Sequence, residues 1–424
     1  MTAASPPVAS SAVGWFKPRG YLHFDYKARG ANAIGYVTDA AKIARHSFFP
    51  FLKYVQSVPR YKRTKGKVES KNREICYAGH TDSLIYAYYA SILYPLYEEQ
   101  IAGTPAETSV LAYRKLKRSN IHFAYDAFTE ISNRTESLVL AYDLESFFDS
   151  LDHEQLKEAW CRVLNSPQLP SDHYAVFKSI TKYAFVGRDQ VFNEFGISES
   201  YSNTALRRIC SPAEFRDRVR GKGLVKRNAN SYGIPQGSPI SALLSNIYML
   251  SFDQRMHALA QEFGGSYRRY CDDILWIGGP GTAGSVEAEL RNELKRLSLK
   301  INIGKTERVH FSRTDSGKLV ANRPLQYLGF NFDGQRQVIR SSSLARYYRR
   351  MKHSVRLSAR DAAKNIRTSI IYRDALYEKY THLGRRNFIV YGLTASRLMH
   401  SIAVRKQLSR HWKKLAAELK KRAP

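Results

Sequence analysis

Apolar and polar positions along the chain mark out a few short, well-separated elements. Leu138-Val139-Leu140-Ala141-Tyr142 is a continuous apolar run and predicts a buried strand, with Asp143 at its end. Far downstream, Ser266-Tyr267-Arg268-Arg269 and Ile274-Leu275-Trp276-Ile277 are β-prone runs around Tyr270-Cys271-Asp272-Asp273. They predict a hairpin with two acids at its tip. Ile240, Leu243, Leu244 and Ile247 repeat at helical spacing, which predicts one buried helix face. Gly233, Pro235, Gly237 and Pro239 ahead of them predict a tight turn, with Pro239 suited to the helix's first turn. A loop is expected near 221–230, and leucine-rich spacing between basic clusters predicts helices over 341–424.

The acids carry the candidate chemistry. Two adjacent carboxylates need either open water or a divalent counter-ion, and a solvated turn is the plain alternative. Asp143, in a similar setting, changes the weighing, although it could instead cap a helix beginning at Leu144. Two-metal phosphoryl transfer needs carboxylates from separate strands converging on cations roughly 3.5–4 Å apart. Asp143, Asp272 and Asp273 supply that minimum set, and Mg²⁺ suits it because it takes hard oxygen ligands and keeps positions for water and phosphate. The glycines of the turn let backbone approach a ligand closely, and Gln236 offers an amide there.

These three blocks, in this order, resemble the palm of reverse transcriptases, over residues 20 to 332. Asp143 with Phe147-Phe148-Asp149 is similar to the family's first-carboxylate motif. Gly233-Ile234-Pro235-Gln236-Gly237-Ser238-Pro239-Ile240-Ser241 resembles the helix motif of group II intron and retron-type enzymes. Tyr270-Cys271-Asp272-Asp273 resembles the tyrosine-x-Asp-Asp hairpin, and Tyr327-Leu328-Gly329-Phe330 the hairpin that grips the primer. Arg19-Gly20-Tyr21-Leu22-His23-Phe24-Asp25, with His46-Ser47-Phe48-Phe49-Pro50-Phe51, resembles the N-terminal signature of bacterial antiphage enzymes of the type 2 defence group, which copy a neighbouring noncoding RNA.

The resemblance implies roles. Asp143 and Asp272 would bind two Mg²⁺ ions, with Mn²⁺ as a substitute, and Asp273 would stand close by. Phe148 falls where the family holds its sugar gate, implying deoxynucleotides as substrates; core filler is its plain alternative. Lys65, in a basic hairpin over the triphosphate, and Arg73 would join Gln236 and Phe148 in binding the nucleotide. Ala78-Gly79-His80 stands where the family usually has proline, and a solvated basic loop stays open for this stretch. Lys305 matches the lysine that can protonate pyrophosphate, or is a generic surface lysine.

Composition adds a partner class. The chain has 424 residues with 67 Lys and Arg against 37 acids, a formal net charge of +30 that points to a polyanion. Residues 341–424 hold 21 of those cations and four acids, so +17 sits in one fifth of the chain. Arg346, Arg349, Arg350, Lys352, Arg405, Lys406, Lys413 and Lys414 are the candidate RNA contacts there, phosphate contacts of this kind giving affinity without reading sequence. Trp412 and the tyrosines among them could stack on unpaired bases or pack the interior. No apolar stretch approaches the ~20 residues of a membrane span. The N-terminus lacks a signal peptide's pattern, and the four cysteines (76, 161, 210 and 271) are scattered, which fits a reducing cytoplasm.

The expected fold is α+β, a right-hand polymerase: a flexible leader over 1–18, fingers over 19–135, and a palm sheet over 136–332 elaborated at about 175–230. A helical basic thumb would cover 333–424. The expected activity is RNA-directed DNA synthesis on a dedicated noncoding RNA template, with DNA product or primer and dNTPs as the other partners and no membrane. Three rivals stay open: an RNA-making palm, an RNA-binding protein whose acids are structural, and a template-independent or protein-primed polymerase.

Overall fold

The computed structural model describes residues 14–62, 67–104, 106–198, 206–364 and 371–422. Lys65 and most of the expected leader lie outside the described residues. In chain order the strands are β1 (Phe51–Lys62), β2 (Lys67–Tyr77), β3 (Glu136–Asp143), β4 (Ala184–Gly187), β5 (Lys226–Arg227) and β6 (Ser266–Tyr270). They continue with β7 (Asp273–Gly278), β8 (Glu307–Arg313), β9 (Leu319–Ala321), β10 (Leu325–Tyr327), β11 (Phe330–Phe332) and β12 (Gln337–Ile339). Helices lie between and after them, so the class is α+β.

One antiparallel sheet, in the order β6-β7-β3-β8-β9, organises the molecule. Its middle strand, β3, is covered on both faces, which is why its sequence reads as an unbroken apolar run. Leu140, Tyr142, Ile274 and Trp276 point into a core shared with helices His80–Ile101, Ser241–Tyr248 and Leu250–Glu262. Val139, Leu275, Ile277, Val309 and Phe311 point the other way, onto helix Asn120–Asn133, the β10-β11-β12 sheet and the C-terminal helices. The period of two along each strand thus splits neighbouring residues between two cores.

A second sheet, ordered β2-β1-β4-β5, is built on the long β1–β2 hairpin, with β1 and β4 parallel. A third core containing Leu22, Phe24, Leu52, Val186 and Phe192 packs on it. The C-terminal region is helical, as its spacing predicts: Ser341–Lys364, Arg373–Tyr380, Phe388–Leu398, Ile402–Leu408 and His411–Arg422. Tyr347, Met351 and Val355 form the buried stripe of the first of these. The four cysteines are unpaired, and no described helix is long and apolar enough to cross a membrane.

Three local expectations need correction. Asp143 caps no helix, because Leu144 bridges Ile301 and the next helical turn begins at Phe147. Pro239 precedes its helix, which runs Ser241–Tyr248, while the Ser241 hydroxyl donates back to the Pro235 carbonyl at 2.7 Å. The 221–230 stretch is not all loop, since Lys226–Arg227 pairs with the edge of β4.

The Pro-Gln-Gly turn is clipped to the end of β2, where the Cys76 amide donates to the Gln236 carbonyl at 2.8 Å. Gly237 has φ +117°, and a Cβ there would collide with the Cys76 carbonyl oxygen. Gly237→Ala is therefore expected to cost about 1–3 kcal/mol, seen as a lower thermal midpoint. An unchanged midpoint would contradict the close approach.

Candidate active site

The acid-bearing hairpin is shaped from beneath by a buried ion pair. Along β6 burial alternates, so of the two adjacent arginines Arg269 must face the core. Its guanidinium donates to both Asp253 oxygens, at 2.7 and 2.6 Å, and to the Asn246 side chain at 3.2 Å. It also donates to the Cys271 carbonyl at 3.1 Å. Tyr267 adds its hydroxyl to Asp253 at 2.7 Å. Both members of the pair are fully buried, and a charge so placed is tolerable only when fully hydrogen-bonded. Cys271 takes up φ +60° at the turn, a conformation unusual outside glycine that these bonds hold in place. Burial pushes the Cys271 thiol up to about 12, so this side chain is no nucleophile at neutral pH.

Pairing of β3 with β7 then sets the acids face to face. Asp143 is the register partner of Asp273, and the Leu144 amide donates to the Asp272 carbonyl at 3.1 Å. The three carboxylates line one cavity of about 410 Å³ together with Arg73, Lys305, Tyr327, Leu328 and Gly329. Lys305 arrives on a short turn whose Asn302 amide donates to the Asp143 carbonyl at 2.8 Å, and its ammonium makes an ion pair with Asp143. Burial, then the charges of Asp272 and Asp143, push the Asp273 carboxyl up to about 7 against the pull of Lys305 and Arg340.

Burial and the two neighbouring acids both disfavour a third negative charge here, and all three groups are hard oxygen donors. The residues fit a divalent cation such as Mg²⁺. Among the described residues no group of three His, Cys, Asp or Glu side chains is already drawn to metal-binding spacing. Asp143 turns onto Lys305 instead.

Other sequence candidates divide. Phe148 and Gln236 are not among the residues lining the cavity. Phe148 is half-buried against the core, and its carbonyl accepts from the Ile234 amide at 2.9 Å, which ties it to the Pro-Gln-Gly turn. Arg346, Arg349, Arg350 and Lys352 line a different cavity, and Arg405, Lys406, Lys413 and Lys414 are exposed on the last two helices. Four polar lining residues, Asn120, Glu307, Gln326 and Arg340, had no sequence signal. Arg340 directly precedes the first C-terminal helix, and Asn120 donates to the Leu328 carbonyl at 2.9 Å, bracing the β10–β11 turn from a distant segment. The Arg269–Asp253 pair did leave a signal: two consecutive arginines on an alternating strand require one to be buried.

A family model described as reverse transcriptase (RNA-dependent DNA polymerase) matches residues 70–332, more than half of the chain. Solved telomerase structures are also similar. That of apo telomerase from Candida tropicalis truncated from its C-terminal domain is 12% identical, with 69% of this chain and 56% of that one covered and a TM-score of 0.44. Apo telomerase from the same organism is 12% identical, covering 92% and 63%, with a TM-score of 0.42. Telomerase from Candida albicans, in complex with the TWJ fragment of telomeric RNA, is 10% identical, covering 92% and 65%, with a TM-score of 0.44. The chain thus spans less than two thirds of the length of each of these.

Removing one member of the buried pair strands the other. Arg269→Met should destabilise the protein by about 3–5 kcal/mol, and adding Asp253→Leu should recover part of that loss. Equal instability of the single and double variants in thermal unfolding would refute the pairing energy.

Proposed function

The chain belongs to the reverse transcriptase family, and on that premise we propose that it copies an RNA template into DNA at the Asp143–Asp272–Asp273 cavity. The observation that carries this reading is the meeting of Asp143 with the sequence-distant pair Asp272 and Asp273 in one cavity with Lys305 and Arg73. Asp143, Asp272 and Asp273 would hold two Mg²⁺ ions, for which Mn²⁺ can substitute. Bound there, the ions lower the pKa of the primer 3′-hydroxyl and neutralise charge on the triphosphate.

The chain's own groups do the rest. Arg73 places a planar fork of donors on the triphosphate oxygens. Lys305 holds a proton at Nζ for the departing pyrophosphate. Tyr327, Leu328 and Gly329 seat the primer end, with the Leu328 carbonyl fixed by Asn120. The Phe148 ring closes the space a 2′-hydroxyl would need, so deoxynucleotides are preferred, and the Gln236 turn backs it. In this reading residues 19–135 are fingers, 136–332 the palm with its elaboration at about 175–230, and 333–424 a basic thumb.

The template we propose is a dedicated noncoding RNA, and the setting antiphage defence in the cytoplasm. Support comes from the Arg19–Asp25 and 46–51 motifs and from the +17 concentrated over 341–424.

Primer extension on a primed RNA tests the proposal. The protein should incorporate dNTPs and not rNTPs. Asp272→Asn should lower the rate by at least about 100-fold, more than loss of an outer-shell partner costs, with RNA affinity unchanged. Phe148→Ala should admit rNTPs. Asp272→Asn extending primers at the parent's rate would sink the assignment.

A further inference from the structure

The C-terminal helices carry a surface feature that polymerisation leaves unused. Trp412 opens helix His411–Arg422, three residues before Leu415 and seven before Leu419, both of which are buried. The indole lies on the same apolar stripe yet is 39% exposed, while Trp160 and Trp276 are fully buried. Tyr377, from helix Arg373–Tyr380, stacks on it at 5.0 Å and 21°. His382 tilts against it at 5.8 Å, and His382 Nδ1 stands 3.2 Å from His411 Nε2. The result is a small aromatic platform with part of the indole open to solvent. The neighbouring tyrosines behave differently: Tyr347 and Tyr380 are buried, joined by a hydrogen bond from the Tyr347 hydroxyl to the Tyr380 carbonyl at 2.6 Å.

The setting is cationic. Arg385, Arg386, Arg410, Lys413 and Lys414 are exposed beside the platform in the chain. Further along the same two helices, Lys379, Lys421 and Arg422 join Arg349, Arg350 and Arg356 around a cavity of about 830 Å³. Val58 and Pro59 of β1 close its far side, and its one acid, Glu418, is paired with Arg422 at 3.0 Å. Lys421 lies nine positions after Trp412, about 13.5 Å of rise but also half a turn round the helix, so that cavity and the indole sit on opposite flanks of the helix's buried stripe. An exposed indole with exposed cations next to it in the chain suits an unpaired base joined to its phosphates. A duplex hides its base faces, and an acidic peptide has none to offer.

We propose that this face holds a single-stranded segment of RNA, one unstacked base lying on the open part of the Trp412 indole and the adjoining phosphates meeting the exposed Arg410 and Lys413. The choice of RNA rests on the polymerase reading; the stacking geometry does not.

Fluorescence anisotropy with labelled 12-nucleotide probes, at fixed salt, tests it on the full chain. Trp412→Ala should weaken single-stranded RNA binding roughly 5- to 150-fold, the worth of one stacked base. Trp412→Phe should restore most of it, and an abasic probe or duplex RNA should show no difference between the proteins. Circular dichroism checks that each variant is folded; if Trp412→Ala is not, His382→Ala and Trp412→Phe against Trp412→Leu decide the same point. Equal affinity of the variants for single-stranded RNA, or equal loss on every probe, would overturn the platform, a protein-binding surface then being the better account. Tighter binding of single-stranded DNA would overturn the choice of RNA. Primer extension by the parent protein separates the two readings: a parent that fails to extend primers refutes the polymerase reading and leaves the stacking result standing.

Discussion

Antiparallel pairing that sets Asp143 opposite Asp273 at the ends of two buried strands is the constraint around which this protein is arranged. Left to themselves, like charges would separate or take up protons. Antiparallel pairing of β3 with β7 removes the first option by fixing Asp143 opposite Asp273, and burial together with the charges of Asp272 and Asp143 raises the Asp273 carboxyl to about 7. A backbone ladder buried on both faces is stiff enough to hold that arrangement. The two cores on either side of the sheet therefore serve the site as much as stability.

The hairpin's turn depends on a second charge problem, solved differently. Arg269 and Asp253 neutralise each other out of water, and their spare hydrogen-bonding capacity goes to Asn246, Tyr267 and the Cys271 carbonyl. Asn246 belongs to the helix that follows the Pro-Gln-Gly turn. One polar network thus links the helix motif to the acid-bearing turn, and a change in either is felt by the other. Buried networks of this kind are costly when half-satisfied, which makes the geometry discrete.

Much of this was legible in the chain. The continuous runs of β3 and β7 foretold strands because burial on both faces leaves no polar alternation to mislead, while β6 was marked by its β-prone residues and alternates about the buried Tyr267 and Arg269. The Ile240–Ile247 spacing foretold a helix, although its start lies beyond Pro239 since Ser241 bonds backwards to Pro235. Arg340 and Asn120 were invisible, being brought to the cavity by tertiary packing alone. Phe148 and Gln236, to which the family resemblance gives nucleotide binding, lie just outside the cavity's lining, and their backbone carbonyls clip the turn to its neighbours. The tyrosines of the basic region and Trp412 could not be sorted from sequence, because spacing sets a helical face without saying how much of that face is covered.

Charge is divided along the chain to match. Asp143 and Asp273 end strands of the central sheet, with Asp272 at the turn between β6 and β7, while the last fifth of the chain is strongly cationic. The claim that bears the most weight is that the three acids share divalent cations. Electron paramagnetic resonance of bound Mn²⁺, with primed RNA and a nucleotide present, addresses it directly. Two spin-coupled ions roughly 3.5–4 Å apart, lost when Asp143 and Asp272 are both replaced by Asn, are the predicted result; no bound Mn²⁺, or binding that survives those replacements, would contradict it.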